Sequence, residues 1–229
     1  YKNSGMHENQ DQSIEDWMDE SRKDDMRRYK MLTKNIRDKK ILDFGTGAGG
    51  FLKISQPIAK SVCGIELEDR VRNYWKDEID IFDSLEKLKT KKFDLITAFH
   101  VFEHINNPNQ ILKNLFSFLK KDGLLVIEVP NVDDILLSIY ENKEFQEFTY
   151  WSQHLYYFNQ FSLEKLCLKS GLNNIFFKYV QRYPLSNHLY WLAKGLPGGH
   201  IKWSKLDSPE LQSAYEKVLI SLKKTDTII

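Results

Sequence analysis

No charge of one sign dominates the 229 residues: 33 Lys and Arg stand against 32 Asp and Glu. Chains that work on nucleic acid usually carry a basic excess or a basic face, so DNA and RNA are not expected as the main partner. No apolar run approaches the roughly 18–20 residues of a membrane span, and no membrane partner is expected. The first residues are polar and acidic, unlike a secretory signal. The sequence does not begin with Met, and a trimmed chain is expected. Cysteine is scarce. Cys63 and Cys167 stand apart, neither in a CxxC motif, and both are expected to be buried thiols of a reducing, cytoplasmic compartment. Internal repeats and low-complexity segments are absent.

What is present is a sizeable apolar fraction, 41% of residues, enough for one full core with appendages. Residues 11–35 carry widely spaced apolar points, a loose helical pattern. Short apolar runs then alternate with helical segments. Strands are expected at 40–44, 62–67, 79–82, 93–99 and 124–129. Helices are expected at 49–59, 70–75 and 108–119, the last opened by Asn107-Pro108. Lys121-Asp122-Gly123 reads as a turn. Beyond Pro130 the reading gives helices at 132–140, 162–170 (closed by Gly171) and 208–222, with strands at 175–181 and 188–192. Alternating β and α with near-continuous apolar strands implies an α/β fold, a doubly wound, mostly parallel sheet with helices on both faces. Such a sheet holds its ligand at the carboxyl ends of the strands, beside the first strand.

The glycines fall at that place. Gly45, Gly47 and Gly50 satisfy GxGxxG between a strand and a helix, which alone would also suit a dinucleotide. Asp43, two residues before the first glycine, opposes that reading, because a carboxylate repels a pyrophosphate. It favours S-adenosylmethionine, whose sulfonium and ammonium are cationic. Glu66 ends the second strand about twenty residues on, where an acid accepts hydrogen bonds from both ribose hydroxyls.

With these residues in place, Ile41-Leu42-Asp43-Phe44-Gly45-Thr46-Gly47-Ala48-Gly49-Gly50-Phe51 resembles the first motif of class I S-adenosylmethionine-dependent methyltransferases. Gly64-Ile65-Glu66 resembles their second. Phe93-Asp94-Leu95-Ile96 with Val101-Phe102-Glu103-His104-Ile105 resembles the fourth-strand motif of the branch that includes ubiquinone-pathway O-methyltransferases, and 123–130 resembles the fifth strand. The resemblance implies sheet order 3-2-1-4-5-7-6 with the last strand antiparallel. It implies cofactor contacts at Asp43, Gly45, Thr46, Gly47, Gly49, Glu66, Phe99 and His100, with adenine near Asp83 or Ser84. Residues 181–200 resemble, more loosely, methyltransferases of bacterial surface-polysaccharide synthesis.

Methyl transfer to a hydroxyl benefits from a base near neutral pH, usually His. His104, His154 and His100 are the candidates. Glu103-His104 also reads as a metal pair of the kind used by relatives in the ubiquinone branch. Asn106 and Asn107 stand where a further acid would be, adjacent residues do not make a site, and no metal is expected. Arg27, Arg28, Tyr150, Trp151, Arg182, Asn187 and His188 are the candidates for acceptor binding, arginine forks suiting an anion. The expected division is a helical cap over the active site (1–38), a methyltransferase core (39–195) and a C-terminal loop and helix (196–229). The expected function is methyl transfer to an oxygen of a small molecule, a sugar or a phosphorylated, anionic intermediate of surface-polysaccharide synthesis. The competing readings are a ubiquinone-type or RNA methyltransferase, a nicotinamide-dependent oxidoreductase, and an inactive cofactor-binding module.

Overall fold

A computed structural model of the chain describes residues 12–88, 91–150 and 153–229. These form two compact units. One is the chain up to Phe102 together with Asn107–Ile127, and the other is Glu103–Asn106 together with Glu128–Ile229. A seven-stranded sheet of order β3-β2-β1-β4-β5-β7-β6 runs through the chain, the order the resemblance implied.

The first unit holds α1 (Ile14–Ile36), β1 (Lys40–Phe44), α2 (Gly50–Ser55), β2 (Ser61–Ile65), α3 (Asp69–Trp75), β3 (Asp80–Phe82), β4 (Phe93–Phe99), α4 (Pro108–Phe118) and most of β5 (Leu119–Pro130). Helix α1 starts where Ser13 accepts the Asp16 N–H, a side-chain N-cap. Helix α4 starts on Asn107 with Pro108 in its first turn, as the sequence signals required. β1 pairs in parallel with both β2 and β4. It is therefore the central strand, and Ile41, Leu42, Leu95 and Ile96 on it and on β4 are fully buried. Phe51 of α2 meets Phe99 of β4 edge to face at 5.1 Å, which fixes the helix that follows the glycines against the sheet.

β2 ends at Ile65 rather than at 67 and β3 starts at Asp80, but the strand that differs most from the sequence reading is β5. Residues 121–123 are extended within β5 rather than a turn. Lys120 is tied by its ammonium to Asp94 at 2.8 Å, and a lone Gly in an extended run does not by itself reverse the chain.

The second unit holds the end of β5, then α5 (Ile135–Ser138), α6 (Lys143–Thr149), α7 (Gln160–Lys169), β6 (Tyr179–Val180), α8 (Leu185–Lys194), α9 (Gly199–Lys202), α10 (Pro209–Leu222) and β7 (Thr227–Ile228). β7 runs antiparallel to both β5 and β6. Gly171, at φ +93°, follows α7 in the left-handed conformation expected of a helix-ending glycine. Three readings are corrected here. Residues 188–192 are helix, because Leu185–Lys194 buries Ser186, Asn187, His188, Tyr190 and Trp191 at helical spacing. The helix expected at 132–140 is a single turn. The last strand lies at the chain end, where Thr227 and Ile228 are buried. Its neighbour Asp226 accepts hydrogen bonds from the Arg182 and Tyr183 amides and from Gln181 Nε2, a connection that no local pattern announces.

Phe51 is 2% exposed. Phe51→Ala is expected to cost about 3–5 kcal/mol, read as a lower urea midpoint at unchanged slope. A loss below 1 kcal/mol contradicts this packing.

Candidate active site

Strand register builds the first part of the site. Asp43 lies opposite Thr97 on β4 and opposite Gly64 on β2. Thr97 accordingly donates its hydroxyl to Asp43 Oδ1 at 2.6 Å. The absent side chain of Gly64 leaves room for Thr46, whose methyl lies 3.2 Å from where a Cβ would stand. Thr46 donates to Asp43 Oδ2 at 3.0 Å. Both donors are neutral. The Asp43 carboxyl is 2% exposed, and burial pushes it up to about 7 against the help of those two hydroxyls.

The glycine loop then turns over this carboxyl. Gly45 and Thr46 donate their amides to Ile65 O at 2.9 and 3.0 Å. Gly49 adopts φ +87°, and a Cβ there would stand 2.4 Å from the Trp75 indole nitrogen, which donates to Ala48 O at 2.8 Å. No other residue fits that position without moving the indole. Glu66, just past β2, accepts the Gly47 amide at 2.9 Å and the amides of Leu67 and Glu68. Burial again raises its carboxyl.

Helix α1 covers this loop. Trp17 lies 3.4 Å from a Cβ position on Gly47, and the Asp25 carboxylate meets the Cβ position of Gly50. Arg70 lies over the Trp17 ring and donates to Gln12 O at 2.6 Å. Arg28 is buried, pairs with Asp25 at 3.2 Å and lies over the Phe99 ring, 4.5 Å from its centre. Its charge lowers the proton affinity of Asp43.

At the end of β4, His100 takes φ +54°, a left-handed conformation that costs a side-chain-bearing residue about 1–3 kcal/mol and collects at functional sites. Val101 beside it packs onto Gly45. Asp83 and Ser84 follow β3, whose last carbonyl, Phe82 O, accepts the Glu66 amide at 2.8 Å. The Asp83 carboxylate is paired with Lys87 at 2.7 Å.

The second unit brings Glu103, His104 and His154 together, with one donor atom from each within 4.8 Å of the others. His104 Nδ1 lies 2.9 Å from Gln153 O. A carbonyl only accepts, so Nδ1 carries the proton in this contact. The two imidazoles are 4.9 Å apart, and Tyr157 and then Tyr150 continue the row of rings, at 5.9 and 5.0 Å. Gln153 was not singled out from the sequence, since its main chain rather than its side chain makes the contact.

The residues expected to bind the acceptor belong to both units. Arg27 pairs with Asp24 at 3.1 Å and Arg28 with Asp25, each three residues back on α1. Spacing alone should have revealed these pairs. Arg182 lies over Tyr183 and lowers the proton affinity of Asp226. Asn187 accepts from the His200 ring at 3.2 Å. His188 is 2% exposed, meets Tyr215 OH at 2.5 Å, and is pushed down to about 4 by burial. Tyr150 is exposed, and Trp151 lies outside the described residues.

Asp43 gives a test. A cationic ligand favours its ionised form, so binding releases a proton wherever the free protein holds one, below about pH 7. Asp43 alone is expected to make S-adenosylmethionine affinity rise up to ~10-fold per pH unit between pH 5.5 and 7. Glu66 and Asp25 are raised too, so Asp43→Asn should remove one proton from the slope rather than abolish it. The same shift makes the ligand-free protein lose stability as pH rises from about 4 through 7. A flat wild-type profile excludes Asp43 as the cation-facing group.

The model of the family described as "Methyltransferase domain" matches residues 18–175. The chain is 32% identical over 114 residues to the ubiquinone biosynthesis O-methyltransferase of Glaesserella parasuis serovar 5 (strain SH0165), covering 43% of this chain and 48% of that protein. It is 31% identical over 111 residues to the protein of the same name from Pelagibacter ubique (strain HTCC1062), covering 43% and 45%. The matched region thus spans about half the length of these relatives. Among solved structures, an S-adenosylmethionine-dependent methyltransferase from Archaeoglobus fulgidus superposes with TM-score 0.60 at 19% identity, covering 94% of this chain and 92% of that one. The YcgJ protein of Bacillus subtilis does so with TM-score 0.52 at 15% identity, covering 80% and 85%. With its family model, its sheet order and its glycine loop in agreement, the chain belongs to the methyltransferase-domain family, in the class I fold that uses S-adenosylmethionine.

Proposed function

We propose that this chain transfers a methyl group from S-adenosylmethionine to an oxygen of a small molecule. The observation that carries the reading is the pair of buried carboxyls, Asp43 and Glu66, held at the glycine loop by neutral hydroxyl and amide donors. A cationic ligand ionises Asp43 and leaves Glu66 to bind the ribose, trading the Gly47 amide for a hydroxyl. Arg28, beside Phe99 and Asp25, is the group for the methionine carboxylate, a cofactor role in place of the acceptor role read from the sequence. When bound, S-adenosylmethionine supplies an activated methyl group whose carbon–sulfur bond breaks as the acceptor oxygen bonds to carbon.

This chain's residues then align the acceptor and handle its proton. His104 follows Val101 by three residues, and with Nδ1 donating to Gln153 O its Nε2 is the atom to accept a hydroxyl proton. His154 beside it is the second candidate. The curated relatives named as O-methyltransferases support oxygen as the acceptor atom. A sugar or a phosphorylated intermediate of bacterial surface-polysaccharide synthesis remains the proposed acceptor class. Its support is the resemblance of 181–200 and the exposed rings of Tyr150 and Tyr157, flat surfaces suited to stacking a sugar face. Arg182, over the Tyr183 ring and near the Asp226 carboxylate, is the arginine of this segment proposed to meet the anionic part of the acceptor.

S-adenosylmethionine consumption is to be measured across nucleotide sugars, sugar phosphates and quinone precursors. With the acceptor found, His104→Gln is expected to lower turnover by ~10²–10⁴ at unchanged cofactor affinity. Wild-type turnover in both His104→Gln and His154→Gln would mean that the acceptor arrives already ionised.

A further inference from the structure

We propose that Glu103, His104 and His154 bind a divalent transition cation of the zinc type, with His154 as the ligand that completes the set. The sequence reading expected no metal, because Glu103 and His104 are neighbours and two neighbouring side chains do not enclose an ion. The structure adds a third donor fifty residues further along the chain. One donor atom from each residue lies within 4.8 Å of the other two. Three ligand atoms about 2.1 Å from one ion stand ~3.4–3.6 Å apart, so a cation draws the most separated pair together by up to about 1.3 Å, a movement that side-chain rotation supplies.

The supporting contacts are those a metal site requires. Glu103 is 2% exposed, and its carbonyl accepts the amides of Leu155 and Tyr156 at 2.7 and 3.2 Å. These bonds hold the turn at 103–104 against the segment that carries His154. Gln153 O accepts a hydrogen bond from His104 Nδ1 at 2.9 Å, the outer contact that fixes a ligating imidazole with Nε2 toward a metal. Tyr157 meets the His154 ring at 5.9 Å and limits its orientation.

The donor set decides the kind of ion. Two imidazoles and one carboxylate suit zinc and its first-row neighbours, whereas Mg²⁺ and Ca²⁺ seek oxygen ligands. Three protein ligands leave a position open, as in catalytic rather than structural sites. The inference deepens the reading of this pair as the acceptor-activating group. A hydroxyl taken into the open position is acidified by coordination, and Nε2 of His104 then holds the ion rather than the proton.

The test is calorimetry on the full chain after chelator treatment, titrating ZnCl₂, MnCl₂ and MgCl₂ separately. One equivalent of Zn²⁺ is expected to bind, with Mg²⁺ weaker by ~100-fold or more. His154→Ala and His104→Ala should each weaken Zn²⁺ binding by at least ~10-fold. His154→Asn, closer in size, is the control for packing, and metal-free melting temperatures should match the wild type. Absence of stoichiometric Zn²⁺ binding, or wild-type Zn²⁺ affinity in both His154 variants, overturns the proposal. S-adenosylmethionine is titrated into the same samples. Loss of cofactor binding with Zn²⁺ binding intact would count against the methyltransferase reading and leave the cation site standing.

Discussion

The structure turns on a buried carboxyl that, among the described residues, is hydrogen-bonded by neutral hydroxyls. Asp43 ends the central strand, where a charge is costly to bury, and the protein answers with two hydroxyls from opposite sides, Thr97 by strand register and Thr46 from the loop. The order of the strands, the missing side chain at Gly64 and the left-handed turn at Gly49 all serve that arrangement. Burial raises the proton affinity of this acid, and a positive ligand beside it would favour the ionised form. This separates it physically from a dinucleotide site, in which the same loop geometry would face a pyrophosphate.

In the first unit α1 lies over the glycine loop, with Trp17 and Asp25 against it. The second unit supplies the histidine pair and the row of rings from His104 to Tyr150. It is tied together at its far end by Asp226, which gathers three donors and is raised in its proton affinity by burial. A shared sheet with variable attachments is how one fold serves many acceptors.

Much of the first unit was legible in the sequence. β4 at 93–99 and the opening of α4 at Asn107-Pro108 follow from apolar runs and capping chemistry, which are local. The loop residues were legible because glycines and an acid at fixed spacing have few physical uses. What escaped was set by contacts distant in sequence. Residues 188–192 are apolar and aromatic enough for a strand, yet the buried run from Ser186 to Trp191 has helical spacing and packs as a helix. The two-residue strand at Thr227 is too short to show a period. The arginines of α1 drew attention as anion forks, although their partners at Asp24 and Asp25 stood three residues away. The third member of the Glu103 cluster could not be read from spacing, because a main-chain contact at Gln153 brings it there.

The most direct measurement of the central claim is a calorimetric titration of the purified chain with S-adenosylmethionine and with NAD under the same conditions. Stoichiometric binding of S-adenosylmethionine, weakened by Asp43→Ala and by Glu66→Ala by roughly 1–3 kcal/mol each, with no heat from NAD, is the predicted result. Tight binding of NAD and none of S-adenosylmethionine would contradict it.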